Sequence, residues 1–310
     1  MFDLRPIRHL YPFQGRHLDR DGLRYHYLDE GRGEPVVMVH GNPTWSFYFR
    51  ALVNALRDSH RCIVPDHIGC GLSDKPGDDR YEYTLENRAN DLDALLDHLK
   101  LDRDITLVLH DWGGMIGMAS ALRRPERIAR IVVMNTAAFL MPEGKSLPWR
   151  LWALHGRNPL TSLLARGFNL FSLGAAFMAT AKGLPRDVRK GLTAPYNSWA
   201  NRIATLRFVQ DIPLRPGDRS YVLAKSVDDG LHQFADRPTL ICWGMRDFVF
   251  DSHFLDEWRR RFPNAEVHTF VEAGHYVLED EPKEIASRVV DFVTRNCANA
   301  RRSADCASAG

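Results

Sequence analysis

The sequence lacks a dominant charge, a cysteine framework and a leader-like segment. Its 310 residues carry 41 basic and 39 acidic side chains, a formal net charge of +2, so no global field favours nucleic acid or an anionic membrane. The five cysteines are odd in number and lack metal-ligand spacing. No apolar stretch of signal-peptide type lies between Met1 and Asp21. We therefore expect a reduced, cytoplasmic protein that uses no metal or cofactor and binds no nucleic acid.

Long hydrophobic runs are scarce as well. The segment Gly167–Ala181 contains no charged residue, but it is shorter than the about 20 apolar residues that span a bilayer. We therefore expect no transmembrane segment. Three interpretations stay open: helix packing within a cap, an apolar tunnel for long alkyl chains, or a patch that faces a membrane or a partner.

Short apolar runs alternate with amphipathic helical patterns over most of the chain. Such alternation predicts a mostly parallel central sheet with helices on both faces, an α/β fold with a large core. This alternation stops from about Asn135 to Asp236, where strand-like runs are absent. We predict an α/β core over residues 1–134 and 237–295, an inserted helical cap over residues 135–236, and a disordered tail over residues 296–310.

The segment His110–Gly114 carries the strongest chemical signal. It follows the apolar run Ile105–Leu109 and opens into a helical pattern, which predicts a strand, a tight turn and a helix. A nucleophile at such an elbow is exposed at the positive end of the helix. Here the residue is Asp111, whose carboxylate is ionised at neutral pH and needs no base to activate it.

Two further residues follow in the order that this elbow predicts. Asp247 comes after the apolar run Leu240–Trp243, and His275 comes after the last predicted strand, behind an Ala-Gly turn. We predict that His275 acts as base or proton shuttle and that Asp247 orients it.

The loop after the strand Pro35–Val39 supplies the other half of the predicted site. Asn42 brings an amide donor to this loop, and Trp112, directly after the nucleophile, brings an indole N–H. Two neutral donors beside a carboxylate nucleophile suit a leaving group that departs as an anion. We predict that Asn42 and Trp112 hold this charge.

These motifs resemble the haloalkane dehalogenase branch of the α/β-hydrolase superfamily over nearly the whole chain. The matching blocks are His40–Trp45, Asp66–Pro76, His110–Gly114 and Gly274–Pro282. The resemblance implies the same roles for Asp111, His275, Asn42 and Trp112. One subgroup places its acid after the strand that precedes the cap. This chain has Asn135 there, so it resembles the subgroups in which the later residue, here Asp247, is the acid.

A narrower resemblance rests on Trp45–Arg50, Asp66–Pro76 and His110–Met118. These blocks are similar to the β-lactone (cis-3-alkyl-4-alkyloxetan-2-one) decarboxylases of bacterial long-chain olefin biosynthesis. The resemblance implies a carbon–carbon lyase that converts cis-3,4-dialkyl β-lactones with long alkyl chains to cis-olefins and carbon dioxide. It also implies a multi-enzyme assembly with the β-lactone synthetase and the reductase of the same pathway.

Residue chemistry alone leaves other functions open. Hydrolytic dehalogenation uses the same nucleophile and the same donors. Epoxide hydrolysis needs cap tyrosines, for which Tyr196 and Tyr221 are available, although Asn42 suits an anion better. A role as a binding module is the third alternative, which an intact set of Asp111, Asp247 and His275 disfavours.

Overall fold

The computed structural model describes residues 2–156 and 158–297. Eight strands form one sheet in the order β1-β2-β4-β3-β5-β6-β7-β8. Strands β3 to β8 are parallel, whereas β2 is antiparallel to both β1 and β4. The strands are β1 Arg16–Arg20, β2 Leu23–Glu30, β3 Pro35–Val39, β4 Arg61–Pro65, β5 Ile105–Asp111, β6 Ile128–Thr136, β7 Thr239–Gly244 and β8 Glu266–Phe270.

Twelve α-helices accompany this sheet in the described part of the chain, together with short 3-10 turns. They are α1 Arg50–Leu56, α2 Leu85–His98, α3 Trp112–Arg123, α4 Trp149–His155, α5 Pro159–Gly167, α6 Leu170–Met178, α7 Arg186–Thr193, α8 Ile203–Gln210, α9 Tyr221–Gly230, α10 Ser252–Arg261, α11 Val277–Asp280 and α12 Pro282–Arg295.

Two apolar clusters lie on opposite faces of the sheet. Along β3, Val37 and Val39 belong to the cluster that contains apolar side chains of α2 and α3. Val36 and Met38 belong to the cluster that contains those of α1 and α12. Because successive side chains of a strand point to opposite faces, a strand covered on both sides has to be apolar throughout. The predicted α/β-hydrolase fold, with its sheet covered on both faces, is confirmed.

The segment between β6 and β7 contains α4 to α9, and its described residues form no strand. The predicted division into core and cap stays a prediction, although β6 runs two residues past the boundary proposed at residue 134. Most of the predicted tail lies outside the described residues.

In residues 2–156 and 158–297, no single helix is long and apolar enough to cross a membrane. Helices α5 and α6 reach that length and composition only as a pair, and the chain bends by 67° between them.

Candidate active site

The turn between β5 and α3 places Asp111 in an uncommon backbone conformation. Its φ of 53° and ψ of −126° direct the chain sharply from strand to helix, which is the geometry of a nucleophile elbow. A side chain at Gly113 would overlap the Val39 carbonyl oxygen, and one at Gly41 would overlap the Asp111 carboxylate. The two glycines therefore let the β3 loop approach the turn closely.

The three predicted catalytic side chains meet at the carboxyl ends of their strands. His275 Nε2 lies 3.4 Å from Asp111 Oδ2, and His275 Nδ1 lies 2.7 Å from Asp247 Oδ2. Asp111 is 8% exposed, His275 6% and Asp247 4%. These side chains form an almost fully buried row of carboxylate, imidazole and carboxylate.

The charges of this row reinforce each other. Burial by itself favours the neutral form of Asp111, but His275, together with His110 and the Asn42 N–H, holds the pKa of Asp111 below its ordinary value. Burial also opposes the charging of His275, yet Asp247 and then Asp111 raise the pKa of His275 to about 10. At neutral pH, Asp111 is therefore ionised and His275 is a cation.

Asn42 contacts the predicted nucleophile through its backbone. The Asn42 N–H donates to Asp111 Oδ1 at 2.6 Å. The side-chain Nδ2 donates to the Thr205 carbonyl in α8 at 2.9 Å, and Oδ1 is buried without a partner. Trp112 lines the same cavity as Asn42 and Asp111, and its ring lies 5.5 Å from that of Phe208. The structure thus brings all five predicted site residues together.

Sequence analysis missed the support around Asp247 and His275. Asn135 Nδ2 donates to Asp247 Oδ2 at 3.0 Å, and Asn135 Oδ1 accepts from the Gly244 N–H at 2.7 Å. The Phe250 ring stacks on the His275 ring with 5.7 Å between centroids. In the sequence, Asn135 stands out only as a departure from a catalytic acid, and no sequence signal points to Phe250.

A cavity of about 670 Å³ extends from Asp111 to the helices α4, α5 and α6. This volume lies within the usual range for small-molecule sites. Apart from Asn42, Asp111, Trp112 and His275, its lining is apolar except for three side chains, Lys145, Arg150 and Thr161. The reactive carboxylate therefore faces a space that suits a hydrocarbon with one small polar group.

This arrangement defines the class of protein. The family model of the alpha/beta hydrolase fold matches residues 34–282, and the chain belongs to that family. In sequence it is similar to the cis-3-alkyl-4-alkyloxetan-2-one decarboxylase of Shewanella oneidensis, with 57% identity over 92% of this chain and 90% of that protein. It is also similar to the protein of the same name from Xanthomonas campestris, with 48% identity over 92% of this chain and 98% of that one.

Solved structures confirm the wider resemblance. The haloalkane dehalogenase DatA of Agrobacterium tumefaciens superposes with a TM-score of 0.81 at 26% identity, over 92% of this chain and 97% of that one. The resemblance to dehalogenases and to β-lactone decarboxylases, predicted from motifs, is thus confirmed.

Proposed function

We propose that this protein is a carboxy-lyase that converts cis-3,4-dialkyl β-lactones to cis-alkenes and carbon dioxide. The observation that carries the proposal is an ionised aspartate, Asp111, at the end of a long apolar cavity. Similarity to two proteins named as decarboxylases of such lactones, at 57% and 48% identity, supports this substrate class.

Atom balance favours attack of Asp111 at C4, the saturated ring carbon that is bonded to the ring oxygen. The Asp111–C4 bond forms as the C4–O bond breaks, which leaves a carboxylate on C3. The C3–carboxylate electron pair then becomes the C3=C4 double bond, carbon dioxide departs, and the C4–Asp111 bond breaks. Both oxygens of carbon dioxide come from the lactone, and Asp111 is regenerated without water. Attack at the carbonyl would instead leave the ring oxygen on C4.

Stereochemistry supports the same route. Backside attack inverts C4 and places the Asp111 oxygen anti to the bond between C3 and the new carboxylate. Anti elimination from this conformer needs no rotation and leaves both alkyl groups on one side. A cis-lactone thus gives a cis-alkene, provided that the cavity prevents rotation about C3–C4.

The other site residues stabilise charge in this scheme. The Trp112 indole N–H and the Asn42 Nδ2 hydrogen that is not donated to Thr205 hold the carboxylate that develops when the ring opens. The His275 cation, fixed by Asp247 at 2.7 Å, faces first the Asp111 carboxylate and then the product carboxylate. Because one anion replaces the other, His275 stays protonated and does not activate water. In this scheme it acts as a fixed cation rather than as the base or proton shuttle expected from the sequence, and the ester intermediate eliminates rather than hydrolyses.

Hydrolytic dehalogenation is the second candidate, favoured by the structural match to DatA. In that reaction Asp111 would displace halide at a saturated carbon, and the Asn42 and Trp112 donors would hold the halide. His275 would then have to lose its proton to activate water for hydrolysis of the alkyl ester. A covalent adduct trapped in His275→Phe by a bromoalkane, detected by mass spectrometry, would support this candidate.

The deciding experiment offers the purified protein a cis-3,4-dialkyl β-lactone and, separately, 1-bromobutane and a longer bromoalkane. We expect cis-alkene by gas chromatography with little bromide at an ion electrode. Asp111→Asn, which keeps the shape but removes the nucleophile, should lower the rate by about three orders of magnitude or more. The exposed Asp58→Asn should keep the parent rate. Bromide without alkene, or full activity of Asp111→Asn, would contradict the proposal.

Location and assembly extend this proposal. Cys62, Cys70 and Cys242 are buried free thiols, which suits a reducing compartment and supports a cytoplasmic protein. A multi-enzyme assembly with the β-lactone synthetase and the reductase suits a reactive, water-insoluble substrate.

A further inference from the structure

The outer side of α4, α5 and α6 exposes an unusual amount of apolar surface. Of the fifteen large apolar side chains that are exposed in the described residues, ten lie between Trp149 and Met178. Their exposed fractions range from 39% to 74%, and Trp149 and Phe168, at 74% and 68%, are the most exposed. We call residues 149–156 and 158–178 the apolar face. Patches of this kind mark interaction sites in proteins that otherwise cover their apolar side chains.

This apolar face is continuous with the cavity. Trp149, Leu164, Leu170 and Met178 are exposed at the surface and also line the cavity that reaches Asp111. The opening of the cavity therefore lies within the apolar face. Neither α5 nor α6 is by itself long enough to cross a bilayer, and the two are bent by 67°, which suits insertion into the interface between headgroups and acyl chains.

Charge is distributed unevenly along the chain. Residues 142–210 contain ten of the 41 basic residues but only two of the 39 acidic ones. The near-neutral chain thus combines a strongly basic segment with an acidic remainder. Lys145, Lys182 and Arg207 pair with Asp251, Glu281 and Asp78 outside the segment. The excess of basic residues that remains attracts an anionic surface even though the net charge of the whole protein does not.

Guanidinium groups lie among the aromatic rings of this region. The Arg150 group is 5.4 Å from the centre of the Trp149 ring, and the Arg189 group of α7 is 4.8 Å from that of Phe177. Arg166, in α5, lies 4.3 Å from the Trp199 ring. Basic groups beside exposed aromatic rings match the two layers of an anionic membrane surface, with charged headgroups above and acyl chains below.

We propose that the apolar face docks on an anionic lipid surface and that the cavity opens into it. Charge complementarity selects this occupant over an uncharged apolar partner. The docking itself does not depend on the reaction. Its purpose rests on the proposed function, because a lactone with two long alkyl chains partitions into lipid and would enter the cavity there without crossing water.

Flotation of the full-length protein with vesicles tests the docking. We expect binding to phosphatidylcholine vesicles that contain about one third phosphatidylglycerol, and weak binding to phosphatidylcholine alone. Raising the ionic strength from about 0.05 M to about 0.5 M should weaken binding about tenfold, because screening removes the electrostatic part.

The double variant Leu163→Glu/Phe168→Glu, whose side chains do not line the cavity, should lose most binding. Val222→Glu, at a 76% exposed position on α9, is the matched control and should bind like the parent.

Three outcomes would overturn the proposal: no flotation with anionic vesicles, equal binding to both lipid compositions, or equal loss in Val222→Glu and the double variant. Self-association that the double variant abolishes, measured by analytical ultracentrifugation without lipid binding, would assign the face to a second copy instead. Lactone turnover in detergent is measured separately. Binding without turnover would support the docking and reject the proposed function. Turnover without binding would support the proposed function and reject the docking.

Discussion

At the scale of single residues, the candidate site depends on how neighbouring charges shift each other. His275 lies between two carboxylates, 3.4 Å from Asp111 and 2.7 Å from Asp247. Asn135 Nδ2 donates to the same oxygen, Asp247 Oδ2, at 3.0 Å. Asn135 is therefore a positioning residue, because its amide and the His275 imidazole share that one carboxylate oxygen.

This geometry predicts the result of exchanging the two side chains. Asp247→Asn removes the anionic partner of His275 and should lower kcat about ten- to a hundredfold, the effect of losing one hydrogen bond to a charged group. Asn135→Asp/Asp247→Asn restores a carboxylate beside the ring and should recover part of kcat. The measurement is kcat as a function of pH with the β-lactone.

Asn135→Asp alone is the control for that pair. It sets two carboxylates side by side, which raises the pKa of one of them, so it should be less active than the parent. A double variant no better than Asp247→Asn would contradict the role assigned to Asn135.

At the scale of elements, the buried strands were the most predictable part. Runs such as Pro35–Val39 are apolar throughout because both of their faces are covered. The hairpin of β1 and β2 turns at Asp21 and Gly22, and both residues adopt the positive φ that a tight turn requires. Helices α5 and α6 were predicted only as helical, because apolar side chains face both the cavity and the outside and so obscure the amphipathic pattern.

Helix α6 predicts a way to change the length of alkyl chain that the cavity accepts. Ala175 lines the cavity, and Ala175→Phe would fill the space of about four methylene groups. Since each buried methylene contributes about 0.8 kcal/mol, kcat/KM for long-chain lactones should fall about two-hundredfold. Lactones shorter by about four carbons should be turned over as before.

A series of lactones of graded chain length measures this shift. Ala200→Phe, at an exposed position outside the cavity lining, is the matched control and should keep the parent profile. An equal loss for short and long lactones would indicate general damage to the site rather than a shorter cavity.

At the scale of the whole molecule, the buried His275 cation couples folding to pH. Its pKa is raised from the ordinary 6.5 to about 10. Protons bound more tightly in the folded state stabilise it, so this contribution is complete below pH 6.5 and is lost as pH rises through about 10. The free energy of unfolding should therefore decrease over this range more steeply in the parent than in His275→Asn.

Urea unfolding at a series of pH values measures both free energies. Comparing the two proteins cancels the histidines that burial keeps neutral, among them His110, whose pKa is lowered to about 3. A difference between the two proteins that stays constant from pH 6.5 to 10 would contradict the raised pKa.

Sequence by itself determined the fold, the elbow and the order of Asp111, Asp247 and His275. This was possible because strand burial and turn geometry depend on the types of residue that are close together in the chain. Only the tertiary structure decided what surrounds them. It placed Asn135 on Asp247, directed the Asn42 side chain to Thr205, and joined the apolar face to the cavity. These contacts connect residues that are far apart in the chain. A local pattern of apolar residues does not specify how close two loops lie, nor which side of an apolar helix is exposed to water.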